Sequence, residues 1–186
     1  MKKFLPAIFT FSIVFVSAIA IQLTFNSLKA DAKEKDKLSD LNVYYEYQFQ
    51  KISGETTTGK KIALSSIKSP IVIVNFWASW CLPCMEEMPS LLNLAKKFKK
   101  EEVQIVTFNT DDNEQLKNIQ KTLKRFGIKD EFDVIPDKDT KIAESLKLSA
   151  IPVTIIYNRG KVVQFTNGPV DFKSEELVIK IKNWLK

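Results

Sequence analysis

Apolar and polar positions alternate between three regimes along this chain. Residues 4–23 are almost continuously apolar or small, broken by Pro6 and a few hydroxyl side chains, and residues 29–40 are mixed charge with little to bury. From residue 42 onward short apolar runs and amphipathic stretches follow one another, and the folded part is expected to start there. Alternation over residues 44–52 predicts a strand, residues 54–59 a turn and residues 61–64 its partner, making an N-terminal hairpin. The β-branched and aromatic run after Pro70, Ile71-Val72-Ile73-Val74-Asn75-Phe76-Trp77, predicts a buried strand. Met88, Leu91, Leu92, Leu94, Ala95 and Phe98 recur at helical spacing above a lysine-rich outer face.

Residues 103–109 read as a second buried strand. Thr110-Asp111-Asp112 reads as the cap of an amphipathic helix that runs to about Arg125 and closes at Gly127. A short extended stretch at 132–135, a short helix at 140–146, a hairpin of 152–157 with 161–165 across Asn158-Arg159-Gly160, and a helix at 175–185 complete the order. No internal repeat is visible. Strands alternating with helices define an α/β domain.

At 186 residues the chain holds one domain with a sizeable core plus an N-terminal extra. The extra begins Met1-Lys2-Lys3 before its apolar run, the pattern of an export signal or a membrane anchor. Its length suits a bilayer span, whereas Ala18-Ile19-Ala20 fits a cleavage site, so both readings of residues 1–28 stand. In either case Lys2 and Lys3 stay cytoplasmic and the domain lies outside, with residues 29–41 as a flexible charged linker and 42–186 as the folded domain. The net charge of +6 is dispersed over lysines with acids interleaved. It predicts a solvated surface, not a nucleic-acid partner.

The chain has no histidine, which removes imidazole bases, His metal ligands and Cys-His pairs. Its only cysteines, Cys81 and Cys84, stand two residues apart in Trp80-Cys81-Leu82-Pro83-Cys84. At the start of a helix, unpaired N–H groups and partial positive charge favour a thiolate, so Cys81 is the expected nucleophile. Cys84, about one turn inward, is the expected resolving thiol, and Pro83 fits the first turn because its missing N–H costs no helical bond. This is a reversible dithiol switch without an organic cofactor. A metal module is the rival class, but zinc wants four ligands and only soft Cu(I) suits two thiolates, so no metal site is assigned. A scaffold with one permanent disulfide is a third reading, and nothing matches the usual surroundings of a peroxidatic cysteine.

Phe76-Trp77-Ala78-Ser79-Trp80-Cys81-Leu82-Pro83-Cys84, with Glu87-Met88-Pro89 and the distant Ile151-Pro152, resembles the thioredoxin fold and, more narrowly, the membrane-tethered TlpA/ResA-type thiol-disulfide oxidoreductases. The resemblance spans about residues 44–186. It implies a thioredoxin-like three-layer α/β/α domain with a central mixed sheet, an N-terminal β-hairpin and an inserted strand-helix unit, for which residues 103–125 are the candidate. It also implies a cis bond at Pro152 and substrate contacts from Ile151 main chain, Pro152, Pro83 and Trp80; an ordinary strand-opening Pro152 is the plain alternative. Trp77 is expected either beside that groove or in the core.

Glu87, three residues after Cys84, falls one turn deeper on the same helix face. By resemblance it tunes the thiols and takes the proton of Cys84; a surface glutamate like Glu86 is the other reading. Asn75 stands where thioredoxin has a buried acid, and Met85 where a basic residue is common in this family. The activity implied is extracytoplasmic thiol-disulfide exchange that reduces selected partner proteins, such as apocytochromes c, with electrons from a membrane-embedded thiol donor. Disulfide donation is the nearest rival, served by the same residues.

Overall fold

In the computed structural model, residues 5–186 are described, with side chains from residue 21 onward save those of Asp36 and Leu38. The expected anchor or signal therefore lies for the most part outside the described side chains. No helix among the described residues is long and apolar enough to cross a membrane. The chain divides into two units at residues 43 and 44. The first unit is helical: α1 runs Leu5–Lys51, and its described side chains from residue 21 to 41 are exposed.

Residues 29–41, expected as a flexible linker, are thus helix. The reason is in the composition, since no Gly or Pro interrupts the chain between Pro6 and Gly54 and Ala, Lys, Glu and Leu all favour helix. The strand expected over residues 44–52 is likewise the end of α1. Tyr45, Phe49 and Ile52 are buried while Tyr47 is exposed, so the operative spacing is four and three, not two.

The second unit, Tyr44–Lys186, holds the fold. A hairpin of β1 (Ser53–Glu55) and β2 (Lys61–Ala63) precedes the central sheet, displaced from its expected first strand. That sheet contains β3 (Ile71–Trp77), β4 (Val103–Asn109), β5 (Asp133–Pro136), β6 (Val153–Asn158) and β7 (Lys161–Asn167) in the order β5-β4-β3-β6-β7. β3, β4 and β5 are mutually parallel, β6 runs antiparallel to them, and β7, antiparallel to β6, returns to their direction. The expected mixed sheet is therefore present, with β4 leading into helix α3 (Gln115–Phe126) as the strand-helix unit. β6 turns into β7 through Arg159 and Gly160 at φ 50 and 78, the paired positive values of a tight hairpin turn.

Side-chain alternation on β3 divides the core in two. Ile71, Ile73 and Trp77 face α2 (Leu82–Lys97) and α5 (Glu175–Trp184), joined by Met88, Leu91, Leu94 and Ile181. Val72, Val74 and Phe76 face the last turns of α1, the hairpin and α4 (Lys141–Ser145). Phe76 and Phe108 are opposed in register and stack at 4.9 Å. The centre of β3, buried on both faces, thus ends at the loop that carries the cysteines.

Candidate active site

β3 delivers the chain to Ala78, where a turn closed by Cys81 N–H donating to Ala78 O (3.2 Å) reverses it into α2. Cys81 is the N-cap of α2 and Leu82-Pro83 its first turn. Cys81 Sγ accepts from Cys84 N–H at 3.3 Å, so a sulfur fills the capping place usually taken by oxygen. The two cysteines are joined in a disulfide. Cys84 is fully buried and Cys81 only 5% exposed, whereas Trp80 and Leu82 are each 69% exposed on either side of it. Trp77 is core.

Glu87 is buried, 5% exposed, one turn below Cys84, so the surface reading does not hold. Its Oε1 accepts from Asn75 Nδ2 (2.8 Å) and its Oε2 from Val170 N–H (2.8 Å). Burial pushes its carboxyl above the ordinary carboxylate range, and these two donors offset part of that rise. The Ile151–Pro152 bond is cis, the isomer that the resemblance implies. Pro152 O accepts from Gly168 N–H at 2.9 Å, and the main-chain groups of Ile151 make no hydrogen bond among the described residues.

Two contributors were not visible in the pattern. Asp111, read as part of a helix cap, instead turns inward and is 3% exposed. Its Oδ1 accepts from Ser79 N–H (2.9 Å) and Ser79 Oγ (3.1 Å), and its Oδ2 from Asn109 Nδ2 (3.2 Å). The cap position of α3 falls to Glu114, in the left-handed region at φ 47 and without a side-chain cap bond. Val170 contributes only its N–H, which carries no side-chain signal in a sequence. α2 thus supplies both the cysteine pair and the shielded carboxyl, the cis-proline loop carries Ile151 and Pro152, and the segment after β7 gives the carboxyl a main-chain donor.

A mixed five-stranded sheet whose central strand runs into a helix capped by a redox-competent cysteine pair defines the thioredoxin-like class of proteins. Residues 46–166 match the AhpC/TSA family, and the chain belongs to it. Thiol-disulfide oxidoreductase ResA of Bacillus subtilis (strain 168) is 33% identical over 133 residues, covering 71% of this chain and 70% of that protein. A thiol:disulfide interchange protein of the thioredoxin family from Chlorobium tepidum superposes with a TM-score of 0.61 at 27% identity, over 73% of this chain and 93% of that one. StoA from Bacillus subtilis shares the fold, with a TM-score of 0.58 at 22% identity over 73% and 96% of the two chains. This chain is a thiol-disulfide oxidoreductase.

Proposed function

We propose that this enzyme reduces disulfides of selected partner proteins on the outer side of the cytoplasmic membrane, to which its N-terminal segment attaches it. Reduced Cys81, favoured as thiolate by the α2 N-terminus and the Cys84 N–H, attacks a partner disulfide and displaces one partner thiolate. Cys84 then attacks Cys81 Sγ, its proton passing to Glu87, and the second partner sulfur leaves with the electron pair of the broken bond. The products are a partner dithiol and the Cys81–Cys84 disulfide. A membrane-embedded thiol donor returns two electrons. Apocytochromes c before haem attachment are the substrate class that the resemblance favours.

The observation that carries this reading is Glu87, a buried carboxyl one turn behind the buried member of the cysteine pair. Trp80, Pro83, the open main chain of Ile151 and Pro152 frame Cys81, and a partner segment docks there as an added strand. Two experiments test it. Cys84→Ser is expected to accumulate a mixed disulfide between Cys81 and its partner, with Cys81→Ser giving none. A redox titration against a dithiol buffer is expected near the roughly −270 mV of thioredoxin; a value near roughly −120 mV reverses the direction to disulfide donation.

A further inference from the structure

Two buried side-chain polar atoms have no hydrogen-bond partner among the described residues, Trp77 Nε1 and Asn75 Oδ1, and the second belongs to the side chain that meets Glu87. Asn75 is fully buried in the middle of β3, and its Nδ2 donates to both Glu87 Oε1 (2.8 Å) and Thr154 Oγ1 (3.1 Å). Its Oδ1 has no partner among the described residues. A buried carbonyl without a donor is disfavoured, so the amide is held this way round by what its other end faces. An ionised carboxylate only accepts hydrogen bonds, and Nδ2 suits it.

Protonation inverts that match. The neutral acid carries an O–H that needs an acceptor, and a half-turn of the Asn75 amide puts Oδ1 where Nδ2 stood. There Oδ1 accepts from Glu87 and also from Thr154, whose hydroxyl donates as readily as it accepts. Each orientation leaves one amide atom unpaired, so the amide itself has little preference. The charge on Glu87 decides.

We propose that Asn75 is a positioning residue whose side-chain amide turns over with the protonation of Glu87, presenting Nδ2 to the carboxylate and Oδ1 to the acid. The inference rests on, and deepens, the reading of Glu87 as acceptor of the Cys84 proton. In that step the Cys84 S–H bond gives its proton to Glu87 and its electron pair to a new bond with Cys81 Sγ. The bond from Cys81 to the partner sulfur breaks, and the partner leaves as thiolate. The turned amide holds the new O–H while Val170 N–H stays on Oε2. Around the carboxyl, α2 supplies Cys84 as the titratable neighbour, β3 and β6 supply neutral Asn75 and Thr154, and the segment after β7 supplies main chain.

The test is an NMR titration of the reduced full-length chain in mild detergent, following the Glu87 carboxyl carbon and the Asn75 side-chain amide together. A common midpoint is expected. In Glu87→Gln, whose carboxamide donates at every pH, the Asn75 signals are expected to hold their acid-limit positions throughout. An Asn75 amide that stays fixed while Glu87 titrates overturns the inference and leaves Glu87 as proton acceptor. Conversely, a common midpoint supports it even if the pH profile of Cys84 attack is the same in Glu87→Gln, a result that would remove the acceptor role alone.

Discussion

At the scale of single residues, Glu87 sets stability against the proton transfer proposed for it. Its carboxyl is raised above the ordinary 4.5 by burial, so the folded chain binds more protons than the unfolded one between that value and the folded one. The stability it contributes is fully present below pH 4.5 and is lost as pH rises through the folded value. Buried Asp137, raised by the same cause, adds with the same sign. Glu87→Gln is therefore expected to be more stable than the parent chain at neutral pH, with the difference shrinking in acid, as urea unfolding across pH will show. Under the proposed proton transfer, the same change is expected to slow resolution of the mixed disulfide by about 100-fold or more, measured by stopped-flow. The shared helix face of the cysteine pair and Glu87 was legible because spacing on a helix fixes it, whereas the burial of Glu87 was not, since spacing alone leaves it open to the surface reading. Val170 was not, because a main-chain donor is the same in every residue type.

At the scale of elements, the loop before α2 is held from the side by the loop after β4. Asp111→Ala leaves Ser79 N–H and Asn109 Nδ2 without their acceptor, at an expected cost of about 1–3 kcal/mol in urea unfolding. A second contact is tighter still: a Cβ on Gly54 of β1 would stand 2.6 Å from Ile135 Cγ2 of β5. Gly54→Ala is expected to destabilise the chain by about 1–3 kcal/mol by the same measurement, since β5 and the hairpin must part. Strands β3, β4 and β6 could be read directly because both faces are almost wholly buried and their runs are rich in β-branched and aromatic residues. The end of α1 could not, because Tyr45, Tyr47 and Phe49 alternate like a strand while Tyr45, Phe49 and Ile52 repeat like a helix, and only packing against the sheet chooses between them. Asp111 was misplaced for a related reason: a residue that suits a helix cap suits any unpaired N–H, and Ser79 lies too far off in sequence to compete on paper.

At the scale of the whole molecule, the unit from Tyr44 to Lys186 contains every group to which the proposed exchange assigns a role. A chain lacking residues 1–43 is expected to keep its rate with a soluble dithiol. Under the proposed attachment, its reduction by membrane vesicles is expected to fall by about 100-fold, the loss of effective concentration that tethering provides, and quenched-flow alkylation reads both rates. The stretch between β7 and α5 gives Gly168 N–H to Pro152 O, Val170 N–H to Glu87 and Phe172 N–H to Ser90 Oγ. One short length of backbone thereby touches the cis-proline loop and the buried carboxyl at once. Lengthening or shortening it by a residue would alter both together, so that, under the proposed function, the choice of partner and the acidity of the site are inherited as a single trait.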